Sequence, residues 1–132
     1  MASILVIDDD ALIRQSLETA LTRPGHLVRS AGDGVEGLKL FRAQAADLVI
    51  TDLVMPEQDG LATIMDLRRI APDLRIIAIS GGMIQNPQLY LQLAEKLGAD
   101  RVLSKPFSLQ ELLAVVAAVL ALPRPPAPPS GP

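Results

Sequence analysis

Apolar residues in this chain fall into short unbroken runs separated by stretches of helical periodicity, and the two patterns alternate from end to end. Ile4 to Ile7 is a run of strand length that stops at Asp8-Asp9-Asp10. Leu12, Ile13, Ser16, Leu17 and Ala20-Leu21 then recur at helical spacing, and Pro24-Gly25 closes that helix. Leu27 to Ser30 is a weaker strand signal. Asp33 with Glu36 three residues on resembles a capping box, opening a second helix that continues through Leu38, Phe41, Arg42 and Ala45. Leu48 to Ile50 is too short for a helix and ends at Asp52, with Pro56 close behind, so it reads as a buried strand delivering a carboxylate to a loop.

The second half repeats the scheme. A third helix is predicted from about Gly60 to Ile70, with Leu61, Ile64, Met65 and Leu67-Arg68 on its inner side, and Pro72-Asp73 stops it. Arg75 to Ser80 is a fourth strand, after which Gly81-Gly82 frees the backbone to turn. Asn86-Pro87 suits a helix start and Gly98 a helix end, so a fourth helix is predicted over 87–97. Arg101 to Ser104 is a fifth strand before Lys105-Pro106-Phe107, and Ser108 with Glu111 forms a second capping box for a last helix to about Leu120. Strict alternation of this kind implies an α/β fold with a parallel sheet covered on both faces by right-handed crossovers.

Composition narrows the class. The chain has 132 residues, 49% of them hydrophobic, which suffices for one folded domain over 1–122 and leaves 123–132 as a proline-rich tail or linker remnant. Cysteine is absent, which removes disulfide scaffolds and thiolate metal sites and suits a reducing cytoplasm. No apolar stretch is long enough to suggest a membrane span, and no secretory leader is recognisable. A net charge of -3 argues against a broad nucleic-acid surface.

Chemistry concentrates where strands end. Asp8-Asp9-Asp10, Asp52, Ser80 and Lys105 follow the first, third, fourth and fifth strands, so a parallel sheet brings them to one edge, where ligands are handled. Carboxylates so gathered repel one another, and a hard divalent cation relieves that repulsion; magnesium, which keeps waters and recruits phosphate oxygens, fits a site with a few carboxylates. Asp52 would then act as a nucleophile on phosphorus, with Lys105 as a point charge and Ser80 as a hydroxyl for a phosphoryl oxygen.

Ile4 to Asp10, Asp52-Leu53-Val54-Met55-Pro56 with Asp59-Gly60, Ser80, and Lys105-Pro106-Phe107 together resemble the receiver domain of two-component response regulators, over roughly residues 3–121. The resemblance implies a flavodoxin-like doubly wound fold, a five-stranded parallel sheet of order 2-1-3-4-5 with five helices in three αβα layers. It implies Asp52 as phosphoacceptor, Asp9 as a direct magnesium ligand, Asp8 as a ligand mostly through water, and the Val54 carbonyl as a further ligand. Ser80 resembles the switch hydroxyl, Lys105 the pairing cation, and the Lys105-Pro106 bond is expected to be cis. The implied activity is signalling rather than turnover: the domain takes a phosphoryl group from a sensor histidine kinase or phosphotransfer protein, catalysing only its own phosphorylation and dephosphorylation.

Departures from the family pattern carry information. Val102 stands where an aromatic residue is usual, and Gly81-Gly82 follows Ser80, so switching is expected to run through that loop and the fourth helix rather than an aromatic rotamer. The last helix carries no charge after Glu111, and Val115, Ala118 and Leu122 are predicted on its outer side; a homodimer through the fourth helix, fifth strand and last helix follows if that face meets a partner, whereas alanine there for helix propensity alone needs none. His26 reads as a surface loop residue. Two other functions compete. A phosphohydrolase of the haloacid dehalogenase type would use Asp8 as nucleophile and Asp10 as acid/base, leaving the Asp52 motif idle; a phosphorylation-independent receiver-like binding module would not need Asp9, Asp52 and Lys105 together.

Overall fold

Strands with nearly continuous apolar sequence need cover on both faces, and the helices between them supply it. The computed structural model describes residues 2–53, 60–80, 92 and 94–123. The elements are β1 (Ser3–Ile7), α1 (Ala11–Thr22), β2 (Leu27–Ala31), α2 (Gly34–Ala43), β3 (Leu48–Asp52), α3 (Gly60–Ile70), β4 (Arg75–Ser80), α4 (helical over 94–97), β5 (Arg101–Ser104) and α5 (Leu109–Leu120). Every strand pair is parallel and the order is β2-β1-β3-β4-β5, the doubly wound arrangement expected.

The period of two along each strand sorts side chains onto two faces. Leu5, Ile7, Val49, Ile76 and Ala78 pack with Leu38 and Phe41 of α2, Ile64 and Leu67 of α3 and Ala94 of α4. Ile4, Val6, Leu48, Ile50, Ile77 and Ile79 pack with Leu17 and Leu21 of α1 and Leu112, Val116 and Val119 of α5. Central β3 is buried along its whole length, and each of Leu48, Val49 and Ile50 contributes roughly 1.5–3 kcal/mol by leaving water.

Helix ends follow the cap chemistry with local differences. Both bonds of the capping box form at Ser108 and Glu111, whereas at Asp33 only one does: its carboxylate accepts from the Glu36 N–H. Helix α2 stops at Ala43, short of Ala45, because Gln44 is already extended. Gly98 ends α4 with φ of 120° and its N–H on the carbonyls of Ala94 and Glu95.

Some assignments of the inner face are corrected. Leu12 is 75% exposed and Met65 47% exposed, while Thr63 is fully buried on α3. Leu12 lies in the first turn of α1, immediately after the cap and above the sheet edge, where there is no layer to cover it; Met65 and Thr63 differ by two positions, about 200° around a helix, and the pattern had favoured the longer side chain. On α5, Val115 is partly buried against the core and Leu122 is half-buried, so the outward face is made by Ala114, Ala117, Ala118 and Ala121 instead. His26 is half-buried in the α1–β2 connection, its Nδ1 accepting from the Ala2 N–H at 3.1 Å. Among the described residues no helix is long and apolar enough to cross a membrane. Gly81-Gly82, the start of the fourth helix at Pro87, and 124–132 of the tail lie outside the described residues.

Candidate functional site

Strand register alone brings the predicted groups together. Ile7 pairs with Thr51 and Ile79 with Asp52, so Asp8 and Asp52 emerge side by side where β1 and β3 end. Ser80 pairs with Ser104, and the Lys105 N–H donates to the Ser80 carbonyl at 2.7 Å, carrying Lys105 to the same edge. Asp8, Asp52 and Lys105 also share the strand parity of Ile4, Ile50 and Leu103, so they rise from the α1/α5 face. Ser80 has the opposite parity, that of Ile76 and Ala78.

The geometry is that of a charged cluster held in a largely buried position. Carboxylate oxygens from Asp8, Asp9 and Asp52 all lie within 4.8 Å of one another. Lys105 Nζ sits 3.5 Å from Asp8 Oδ2 and 3.5 Å from Asp52 Oδ2, bridging the two. Asp8 is 1% and Asp52 5% exposed, while Asp9 is open to solvent. Asp8 Oδ1 accepts from the Asp10 N–H at 2.9 Å, but Oδ2 has no hydrogen bond; the ammonium is near it without donating.

This environment tells on protonation. Burial pushes the Asp8 carboxyl from its ordinary 3.8 up to about 6; the Asp10 N–H opposes the rise, the Asp52 charge adds to it, Lys105 opposes and Asp9 adds. One ammonium does not balance three carboxylates. The orphaned Asp8 oxygen and the convergence of three oxygen donors therefore fit a hard divalent cation.

The hydroxyl of Ser80 is 2% exposed and Oγ has no hydrogen-bond partner, an uncompensated polar atom at the site's edge. Val54 lies outside the described residues. Val102 is half-buried against the α2/α3 face, and the Lys105-Pro106 peptide is cis.

Asp10 belongs to a different task. Its carboxylate accepts from the N–H groups of Leu12 at 2.9 Å and Ile13 at 3.3 Å, capping α1, so it is engaged where a phosphohydrolase would need a free acid/base. Arg14, which no motif singles out, donates from Nη1 to the Asp8 carbonyl at 2.6 Å and fixes the acidic turn from below. Its only advance signal is its place one helical turn after Asp10. Beside the cluster a groove of about 470 Å³ runs between Leu12, Ile13 and Leu17 on one side and Lys105, Phe107 and Leu109 on the other. A second, of about 660 Å³, lies farther along α1 and α5 and contains none of the charged cluster.

Comparison with known proteins agrees with this arrangement. A family model described as the response regulator receiver domain matches residues 4–117. A DNA-binding transcriptional regulator NtrC from Azospirillum brasilense is 44% identical over 126 residues, covering 96% of this chain and 26% of the relative. Response regulator MprA from Mycobacterium ulcerans is 38% identical over 117 residues, 89% of this chain and 49% of the relative. The chain thus spans half or less of these relatives. The crystal structure of the receiver domain of NtrX from Brucella abortus superposes with a TM-score of 0.84 at 30% identity, covering 91% of this chain and 99% of that one.

Proposed function

Because the chain belongs to the response regulator receiver family, and is a signalling module of that kind, we propose that Asp52 is its phosphoacceptor and that magnesium is required. The observation that carries the reading is the Lys105 ammonium lying 3.5 Å from both Asp8 and Asp52 above three convergent carboxylates. In this scheme an Asp52 carboxylate oxygen attacks phosphorus in line, forming the O–P bond of an acyl phosphate as the donor's P–N or P–O bond breaks; the electron pair of that bond leaves with the donor, a phosphohistidine or a small acyl phosphate. Lys105 neutralises an equatorial oxygen of the transferring group, and the Ser80 hydroxyl, without a partner before transfer, donates to another. Asp8, Asp9 and Asp52, with the Val54 carbonyl, would hold the cation, whose chemistry is to offset charge on the phosphoryl oxygens.

A histidine kinase or phosphotransfer protein is the natural donor. Its phosphorylated side chain must come within bonding distance of Asp52, and the apolar rim of Leu12 and Leu109 beside Lys105 offers a contact for the helix that carries it. The working unit is 1–122, in the cytoplasm, with 123–132 as tail or linker remnant. Self-association through α4, β5 and α5 has only the alanine face of α5 in its favour, and a monomeric mass in both phosphorylation states across a concentration series removes it. The test of the main reading is intact mass after incubation with magnesium and a small acyl phosphate. One phosphoryl adduct is expected on the unaltered protein and none on Asp52→Asn; an adduct that survives the substitution would falsify the assignment.

A further inference from the structure

Gly60 opens α3, yet it needs none of glycine's backbone freedom: positive φ occurs among the described glycines only at Gly25 and Gly98. Glycine is also a poor helix former, so another requirement must keep it there. That requirement is space. A Cβ at position 60 would lie 2.5 Å from Leu53 Cα, 2.9 Å from the Leu53 carbonyl carbon, and closer still to the Asp52 carbonyl oxygen. All three are main-chain atoms, so no rotamer change relieves the overlap. At Gly37, by contrast, the nearest atoms to an added Cβ all belong to the Ile7 side chain. The Gly60 N–H also donates to the Leu53 carbonyl at 3.1 Å, tying the first turn of α3 to the exit of β3.

We infer that Gly60 is a positioning residue for Asp52: by letting α3 rest main chain on main chain against the end of β3, it sets where the acceptor carboxylate stands relative to Asp8 and Lys105. The inference rests on Asp52 being the phosphoacceptor. The consequence is steep because Lys105 Nζ already stands 3.5 Å from both carboxylates, at the long limit of a direct interaction. A displacement of the β3 terminus by about 1 Å is enough to cost about a hundredfold in a positioned reaction.

The experiment compares the unaltered protein, Gly60→Ala, and Val116→Ala, which loosens the buried α5 side of the core without touching the end of β3. Adduct formation with magnesium and a small acyl phosphate is followed by intact mass, magnesium affinity by amide chemical shifts, and stability by thermal midpoint. Gly60→Ala is expected to lower adduct rate and magnesium affinity about a hundredfold where still folded, and Val116→Ala to leave both within about twofold. Equal rates for Gly60→Ala and the unaltered protein, or losses in both variants that simply track their midpoints, overturn the inference. Absence of an adduct on the unaltered protein sinks the acceptor reading and this inference with it. If Gly60→Ala does not fold, amide exchange of the unaltered protein decides: coupling between sites is reciprocal, so magnesium should protect the Gly60 N–H about tenfold while the Leu122 N–H, bonded to Val119, stays unchanged. An unchanged Gly60 N–H overturns the proposal.

Discussion

The two edges of the sheet are built on opposite principles. At the carboxyl edge Asp8, Asp9, Asp52 and Lys105 crowd together, with Asp8 Oδ2 and Ser80 Oγ lacking hydrogen bonds. At the amino edge Arg29, Arg68, Arg75, Asp47 and Asp100 each hold main-chain groups. Arg68 donates to the carbonyls of Pro72, Leu74 and Gly98 and pairs with Asp100 at 3.6 Å, whose Oδ2 accepts from the Ile76 N–H. Arg29 donates to the carbonyls of Leu40 and Gln44, and Arg75 to those of Val119 and Leu122, closing the C-terminal ends of α2 and α5. Asp47 accepts from the Ser3 N–H at 2.8 Å. The difference separates labour: one edge stores uncompensated polarity for a ligand, and the other removes it for stability. Substitutions should therefore dissociate, costing stability at one edge and function at the other.

The largest effect is expected at Arg68. Arg68→Ala removes bonds that join the end of α3 to the turns leading into β4 and β5 and takes the Arg68 guanidinium away from the partly buried Asp100 carboxylate. Chemical denaturation should show a loss of about 3–4 kcal/mol, with magnesium affinity unchanged in the folded fraction. A large fall in affinity instead would erase the distinction between the edges. Lys105→Ala is the mirror case. Adduct formation should slow about a hundredfold, or about 2.7 kcal/mol in barrier, while the unfolding midpoint should fall less than in Arg68→Ala, because only two contacts of 3.5 Å are lost where Arg68 also gives up three main-chain carbonyls. A rate within about threefold of the parent would remove Lys105 from the chemistry.

Asp8 sharpens the contrast, since there a functional group is destabilising. Its folded-state pKa of about 6 exceeds the ordinary 3.8, so between those values the native state binds more protons than the unfolded one. The Asp8 contribution to stability without metal should therefore fall as pH rises through that window, with the loss complete above about 6. Asp8→Asn keeps an acceptor for the Asp10 N–H but removes the charge, and should raise stability at pH 7 by about 2 kcal/mol while removing the Asp8 share of the slope over that window and weakening magnesium binding. Denaturant midpoints of both proteins at pH 4, 5, 6 and 7, with and without magnesium, measure this; an advantage of Asp8→Asn over the parent that does not grow with pH over that range would contradict it.

The carboxyl edge was legible in the sequence because its logic is linear: four times a strand ends at a polar residue, charged at Asp8, Asp52 and Lys105 and neutral at Ser80, and parallel pairing does the rest. Elements β4, β5, α3 and α5 match their predicted bounds, and register alone places Asp8 against Asp52. The amino edge was not legible. Arg68, Arg75 and Arg29 reach carbonyls 30, 44 and 11 residues away, and nothing in a surface-like arginine announces such a partner. Gly60 escaped for a related reason. It read as the start of a helix and a member of a familiar motif, and only the approach of two main chains gives it a task. Leu12 misled because helical periodicity says which face points inward but not where the sheet stops.

Arg75 gives the smallest effect and the finest test of the comparison. Its Nε lies 2.9 Å from the Val119 carbonyl and its Nη2 2.8 Å from the Leu122 carbonyl, so one guanidinium from the start of β4 donates to two acceptors at the end of α5. No basic residue within the last turn of α5 could take its place. Arg75→Ala should cost about 1 kcal/mol, since the buried Val119 carbonyl keeps the Leu122 N–H and only the Leu122 carbonyl of the half-buried last turn is left to water, and the loss should appear as faster amide exchange at Ala121 and Leu122, whose N–H groups close that turn. The same variant should phosphorylate at the parent rate, because nothing at this end of α5 touches the acidic cluster. Arg75→Lys restores charge near the helix terminus without the fork that serves two carbonyls, and should recover only part of the loss. If Arg75→Ala slowed adduct formation more than it lowered stability, the sheet would be transmitting strain from one edge to the other, and the separation of labour between them would not hold.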